Sequence, residues 1–181
     1  MPMPKPMPPL ELLEKLFYID PDSPSGLRWK KTQSPNRVKE GATAGYLRKD
    51  GYWIVSIRIN KKKLLFQVHR IIYYLHTKKC PDGQYIDHIV FGINHPENLR
   101  AATPSQNMMN RRKNTAYAKN PTGSKYKGVY WNKKKQRWYA ALQHDYKSVF
   151  VGVFKDEEEA AKAYNEAALR IFGEFAKLNK V

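Results

Sequence analysis

Asp87 and His88 stand side by side, Asn98 lies ten residues after His88, and Asn107 lies nine further on. These side chains have a common use. Hydrolysing a phosphodiester requires a base to deprotonate water and positive charge to stabilise the developing anion. A neutral imidazole suits the first task near neutral pH. A carboxylate oxygen and an amide oxygen suit a hard cation such as Mg²⁺, with water and substrate phosphate completing its shell. Taken alone, Asp-His is a short motif with a structural alternative. His88 then reads as a half-buried strand histidine, Asp87 as its surface neighbour, and the two asparagines as turn or cap residues.

Chemistry at these positions depends on the elements that carry them. Tyr85–Ile89 reads as a strand and Asn98–Thr103 as a second strand, with a loop through Gly92–Glu97 between them. Thr103 and Pro104 suit the cap and first position of a helix that carries Asn107. Adjacent strand residues face opposite ways, so Asp87 and His88 share one duty only at a bulge or a strand end. Upstream, Leu12–Phe17 suggests a short helix, the turn-rich Asp20–Gly26 ends it, and Leu27–Lys30 is a short strand. Gly51–Ile59 alternates at period two, Asn60–Lys63 is a polar turn, and Leu64–Val68 returns the chain to an apolar-rich helix over Val68–Leu75. The five prolines of residues 1–10 read as a disordered leader.

Charge narrows the partner. The chain has 181 residues and a formal net charge of +17, which is unusual for an enzyme of small metabolites and points to a polyanion. Between Lys61 and Lys155 stand 19 basic and 4 acidic residues, whereas Asp156–Glu174 holds six acids and two bases. This is the pattern of a basic binding surface backed by an acidic helix. No apolar run reaches the ~20 residues of a membrane span. Cys80 is the sole cysteine, which excludes a disulfide within the chain and a zinc cluster built on paired cysteines.

The stretch Val68-His69-Arg70-Ile71-Ile72, with Ile86-Asp87-His88-Ile89, Asn94, Glu97-Asn98-Leu99-Arg100 and Ser105-Gln106-Asn107, closely resembles the HNH endonuclease motif of phage and intron homing enzymes. The resemblance covers about residues 64–112 and implies a ββα-metal finger that cleaves DNA with a divalent metal, Mg²⁺ or Mn²⁺. It implies His88 as general base, Asp87 and Asn107 as metal ligands, and Asn98 as the residue that pins the loop and orients the base. Within the loop, His95-Pro96 departs from the polar residues expected there. For His69 a structural hydrogen bond is expected. Arg70 and Arg100 are candidates for holding phosphate, and Arg111-Arg112-Lys113 for tracking the backbone as part of a linker over residues 111–123.

The last third has three strand signals, Tyr126–Trp131, Arg137–His144 and Ser148–Phe154, and a helix from about Asp156 to Phe172. Its strands alternate, with Arg137, Tyr139, Ala141 and Gln143 opposite Trp138, Ala140 and Leu142. In the third strand, Ser148, Phe150 and Gly152 stand opposite Val149, Val151 and Val153. One face is thus expected to receive the helix and the other to face a ligand. The segments Ser124–Trp131, Trp138–Ala141, Val151–Phe154 and Glu159–Ala168, with Phe172-Gly173 and Ala176–Asn179, resemble the AP2/ERF DNA-binding domain. That resemblance implies a sheet laid in the DNA major groove, with Lys127, Tyr130, Asn132, Arg137, Gln143, Ser148 and Phe150 at the contacting positions. Replacement of several of the plant family's arginines, and of its strand-three tryptophan, removes the ground for a GC-box preference.

These readings combine into an α+β chain: a leader over 1–10, an HNH domain over 11–110, the linker, and an AP2-like domain over 124–181. The expected activity is homing-type nicking of double-stranded DNA by a monomer or weak dimer. No membrane partner and no small-molecule cofactor are expected. By the resemblance, the place of action is the cytoplasm of a bacterial host cell. Two rivals remain at this point, a cleavage-inactive DNA-binding regulator and a basic RNA-binding protein.

Overall fold

Apolar side chains in the first hundred residues gather on three small antiparallel sheets and two helices. They do so in a computed structural model that describes residues 5–32, 38–111, 123–145 and 147–181. Residues 1–4 of the expected leader, Arg112 with the linker as far as 122, and Tyr146 between the last two strand signals lie outside the described residues. The chain divides into two compact units, Met1–Thr103 and Pro104–Val181. The division therefore falls before the helix that the sequence reading placed in the first domain. Among the described residues the fold is mixed α/β, with four α-helices and antiparallel sheets.

In the first unit, helix α1 (Leu10–Leu16) leads straight into strand β1 (Phe17–Ile19), which pairs with β2 (Leu27–Trp29). The sequence reading gives β2 but not β1, because the apolar helical spacing over Leu12–Phe17 runs straight into it. Phe17 and Trp29 are register partners whose rings sit 4.6 Å apart. Residues 5–9 precede α1 as ordered chain: Met7 donates its N–H to Asp82 Oδ1 at 2.8 Å, and Pro8 is buried.

A second sheet has the order β3 (Tyr46–Leu47), β4 (Trp53–Ile59), β5 (Lys62–Gln67). Asn60 and Lys61 at its tight turn both have positive φ, 49° and 64°, as the twist of a two-residue hairpin requires. Helix α2 (Val68–Thr77) follows without a break and buries Val68, Ile71, Ile72 and Leu75 in the core. Beyond it, β6 (Tyr85–His88) and β7 (Leu99–Ala102) pair with Asp87 opposite Arg100 and His88 opposite Leu99. A short 3₁₀ turn, Pro96–Asn98, brings the connecting loop back to β7.

The second unit comprises α3 (Pro104–Met109), the sheet β8 (Val129–Asn132), β9 (Arg137–His144), β10 (Lys147–Phe154), and α4 (Glu157–Phe172). Strand order is β10-β9-β8. Asp156 caps α4 by accepting from the N–H groups of Glu158 (2.7 Å) and Glu159 (3.0 Å). Three glutamates in the first turn and Arg170 in the last complement the helix dipole. Ala160, Ala161, Ala167 and Ala168 let α4 lie close on the sheet, with Tyr164 and Phe172 filling the gaps between them.

One expected alternation fails in β10. Between Phe150 and Gly152 the register slips by one residue, so Val153 pairs with Tyr139 rather than facing α4. Val153 is consequently exposed, while Phe154 packs on the core. A bulge inverts every side chain that follows it, and a period-two reading carries no sign of one.

Gly128 enters β8 at φ +74°, and a Cβ there would sit 2.2 Å from the Tyr164 ring and 2.6 Å from the Ala141 carbonyl oxygen. Both the backbone angle and the close approach demand glycine. Gly128→Ala is expected to destabilise the second unit by about 2–4 kcal/mol, read as a lowered midpoint in denaturant unfolding.

Candidate active site

His88 ends β6, so its side chain escapes the strict alternation of a strand interior. Both it and Asp87 are buried, at 5% and 7% exposure. The imidazole is fixed by a chain of hydrogen bonds. Asn94 Nδ2 donates to the Ser25 carbonyl at 2.9 Å, which turns its Oδ1 toward His88 Nε2 at 2.8 Å. An amide oxygen only accepts, so Nε2 carries the hydrogen and the lone pair lies on Nδ1. Ser25 belongs to the turn before β2, where Arg28 pairs with Asp20 and also donates to the Gly41 carbonyl at 2.8 Å. Gly26, at φ +76°, lies so close beneath Asn94 that a Cβ would meet its carbonyl oxygen at 2.6 Å.

Rings enclose the imidazole. His69 of α2 lies 4.6 Å from His88 between centroids, Tyr52 and Phe91 each 6.0 Å. Burial pushes the His88 pKa below the ordinary value of 6.5, with Asn94 and Asp87 partly opposing the shift. Burial pushes His69 well below it, assisted by the neighbouring His88 and Arg70. Both imidazoles are therefore neutral at pH 7. Among the described residues, the His69 ring packs against those of His88 and Tyr52.

Asn98 holds the loop. Its Oδ1 accepts from the Val90 N–H at 2.9 Å, while its Nδ2 donates to the carbonyls of Val90 (2.8 Å) and Ile93 (2.7 Å). This geometry shapes the segment that delivers Asn94 to His88. Despite His95-Pro96, the loop closes in order: Pro96 starts the 3₁₀ turn, and His95 Nδ1 accepts from the Glu97 N–H at 3.4 Å.

Asp87 faces its register partner. Arg100 donates from Nε and Nη2 to Asp87 Oδ2 at 3.3 and 3.2 Å, in a largely buried ion pair. The phosphate-holding role expected for Arg100 therefore competes with a cross-strand contact. Arg70 departs further from expectation. Its side chain is 4% exposed and donates to the carbonyls of Gln84 (2.8 Å) and Pro81 (3.1 Å). A guanidinium used in this way ties α2 to the approach of β6 and is not presented to a strand.

A hard cation takes oxygen ligands, so the Asp87 carboxylate fits one in kind, with Arg100 as competitor for Oδ2. Among the described residues, no three or more His, Cys, Asp or Glu gather where they could hold a metal ion. Asn107 lies half-buried on α3 of the second unit, and its pairing with Asp87 rests on the resemblance alone.

The other expected DNA contacts lie in the second unit. Tyr130, Arg137, Gln143, Ser148 and Phe150 are exposed on the sheet. Asn132 is engaged locally, its Oδ1 accepting from the N–H groups of Lys134 and Lys135 in the β8–β9 turn. Lys127 is half-buried and donates to the Met109 carbonyl at 2.5 Å, with burial and then Lys177 pushing its amine down to about 8. Arg111 is exposed.

The chain is 37% identical over 145 residues to an uncharacterized HNH endonuclease of Acanthamoeba polyphaga mimivirus, which covers 75% of this chain and 66% of that relative. The similarity supports an HNH nuclease. Over 57 residues it is 44% identical to a putative AP2/ERF and B3 domain-containing protein of Oryza sativa subsp. japonica, covering 32% of this chain and 18% of the plant protein. The chain thus spans just under two thirds of the viral relative and a small part of the plant one. No protein-family model matches it.

The sequence reading quoted Asn94 within the motif but gave it no role, and it gave Ser25 none beyond a place in a turn. Asn94 sits between Gly92 and Pro96, where asparagine reads as an ordinary turn former, and a carbonyl 69 positions away leaves no local signal.

Acid should loosen this site. Both histidines have native pKa values below 6.5, so the unfolded chain binds more protons under mild acid. Their stabilisation is complete above pH 6.5 and is lost as pH falls through the native values. The denaturant midpoint of the first unit is expected to drop between pH 7 and 5, and His69→Phe to flatten that slope.

Proposed function

We propose that the protein is a homing-type DNA endonuclease that hydrolyses one strand of duplex DNA inside a cell, with a divalent cation. The observation that carries this reading is the Ser25–Asn94–His88 chain, which fixes a buried, neutral imidazole with its lone pair on Nδ1. Similarity to a viral HNH endonuclease supports the same assignment. In this reading His88 Nδ1 takes the proton of the attacking water, whose oxygen bonds to phosphorus while the bond to the 3′-oxygen breaks. The leaving oxygen gains a proton from solvent, which gives 5′-phosphate and 3′-hydroxyl ends. Asp87 and Asn107 would hold the cation, which would supply positive charge to stabilise the developing anion. Asn98 and Asn94 are positioning residues that set the loop and the ring. Excess Lys and Arg in both units grip the backbone through counterion release.

A second reading is a DNA-binding regulator without cleavage, favoured by the Arg100 contact that engages Asp87 Oδ2. A supercoiled-plasmid assay with Mg²⁺ or Mn²⁺ separates the two. Nicking is expected, and its absence with every divalent ion tried would favour the regulator. His88→Ala is expected to slow nicking by about 10²–10⁴-fold while DNA affinity stays unchanged. Equal loss of both would make the residue structural. Asn94→Ala is expected to lower the rate and to shift its pH profile, because the tautomer is no longer imposed.

A further inference from the structure

The loop between β6 and β7 turns aliphatic side chains to water. Ile89 is 44% exposed, Val90 52% and Ile93 50%, with half-buried Phe91 among them. Loops are ordinarily polar and adjustable, and this one is neither. The Asn98 amide bonds the Val90 N–H and the carbonyls of Val90 and Ile93, and the Ile89 N–H donates to the Asn98 carbonyl at 2.9 Å. Phe91 roots the loop from inside. Its ring lies 5.2 Å from that of Tyr52, and a Cβ on Gly51 would come within 3.0 Å of it. Asn94 is engaged inside as well, between His88 and Ser25. A fixed backbone thus holds a cluster of apolar groups outward, and such a patch marks a binding surface.

Its place in the chain selects the partner. Val90 follows His88 by two residues, so their Cα atoms are at most ~7.6 Å apart. One strand of a duplex advances about 3.4 Å per nucleotide, so a phosphate set for attack at His88 has Val90 within about two nucleotides of it. The net charge of +17 favours the same polyanion. Aliphatic groups gain nothing against phosphates, and against base edges they leave donors and acceptors unpaired. The apolar surface of a duplex is the base faces, which stacking hides until a step opens. Side chains that open such steps in other DNA-bound proteins are apolar wedges of this type.

We infer that Val90 and Ile93, with Ile89 beside them, enter a base step of duplex DNA next to the phosphate that His88 serves and unstack it. The location of that step rests on the proposed function, whereas insertion itself needs no cleavage. Pyrimidine–purine steps open most readily, so mapped nicks are expected to concentrate beside them.

The test uses the full chain without divalent metal. Closed circular plasmid is relaxed by a metal-independent topoisomerase while the protein is bound, then stripped of protein and examined for a change in linking number. The parent is expected to leave a shift that grows with the amount bound. Val90→Ser combined with Ile93→Ser is expected to lose most of that shift while plasmid affinity stays within about threefold, since Lys and Arg supply the grip. Val90→Leu combined with Ile93→Leu keeps apolar groups and is expected to retain the shift. No shift from the parent at saturation, or a full shift from the serine pair, would overturn the inference. A serine pair that splits a dimer and still shifts the plasmid would assign the loop to a second copy of the chain instead. Failure to nick alongside a normal shift would refute the nuclease reading and leave the wedge standing; nicking without a shift would refute the wedge alone.

Discussion

The candidate active site depends on one buried amide. Asn94 is the link between a turn near the start of the chain and the end of β6, and each of its two ends admits one kind of partner. Its nitrogen meets a carbonyl, so its oxygen must meet a donor, and the histidine tautomer follows. In water such a preference would be weak, since either ring nitrogen can find a solvent partner. In a buried site the alternative is an unsatisfied polar group, which costs about 1–3 kcal/mol. Burial therefore converts a geometric contact into a chemical assignment.

The same burial keeps the imidazole unprotonated. His69, Tyr52 and Phe91 surround His88 with rings rather than charges, and the carboxylate that would favour protonation is shared with Arg100. Desolvation thus dominates over attraction by Asp87. Two short strands could not hold this arrangement unaided, because a two-stranded ribbon is marginal in water. The support comes from α2, whose buried Arg70 ties it to the chain entering β6.

Much of this was legible in the sequence where a period or a local rule applied. The hairpin over β4 and β5, helix α2, the β6–β7 pair and α4 with its acidic first turn all follow from alternation, helical spacing or dipole chemistry. Features set by contacts between distant residues were not legible. Strand β1 is hidden by the apolar helical spacing of Leu12–Phe17 that leads into it. Arg70 looks like a phosphate contact and Asn132 like a groove contact until the carbonyls and amides they serve are seen. The slip at Val151 leaves no mark in composition, yet it decides which face Val153 occupies. Asp87 and His88 were visible as a pair, but their separation into an ion-paired carboxylate and an amide-held ring required the register of β6 on β7.

The reach from Ser25 to Asn94 also sets how small a working fragment of the chain can be. A minimal finger cut from about residues 64–112 would carry the acid, the imidazole and the loop, yet leave behind the carbonyl that orients the amide. A fragment that keeps the orientation of the ring must therefore begin upstream of the Asp20–Gly26 turn, and it is larger than the motif.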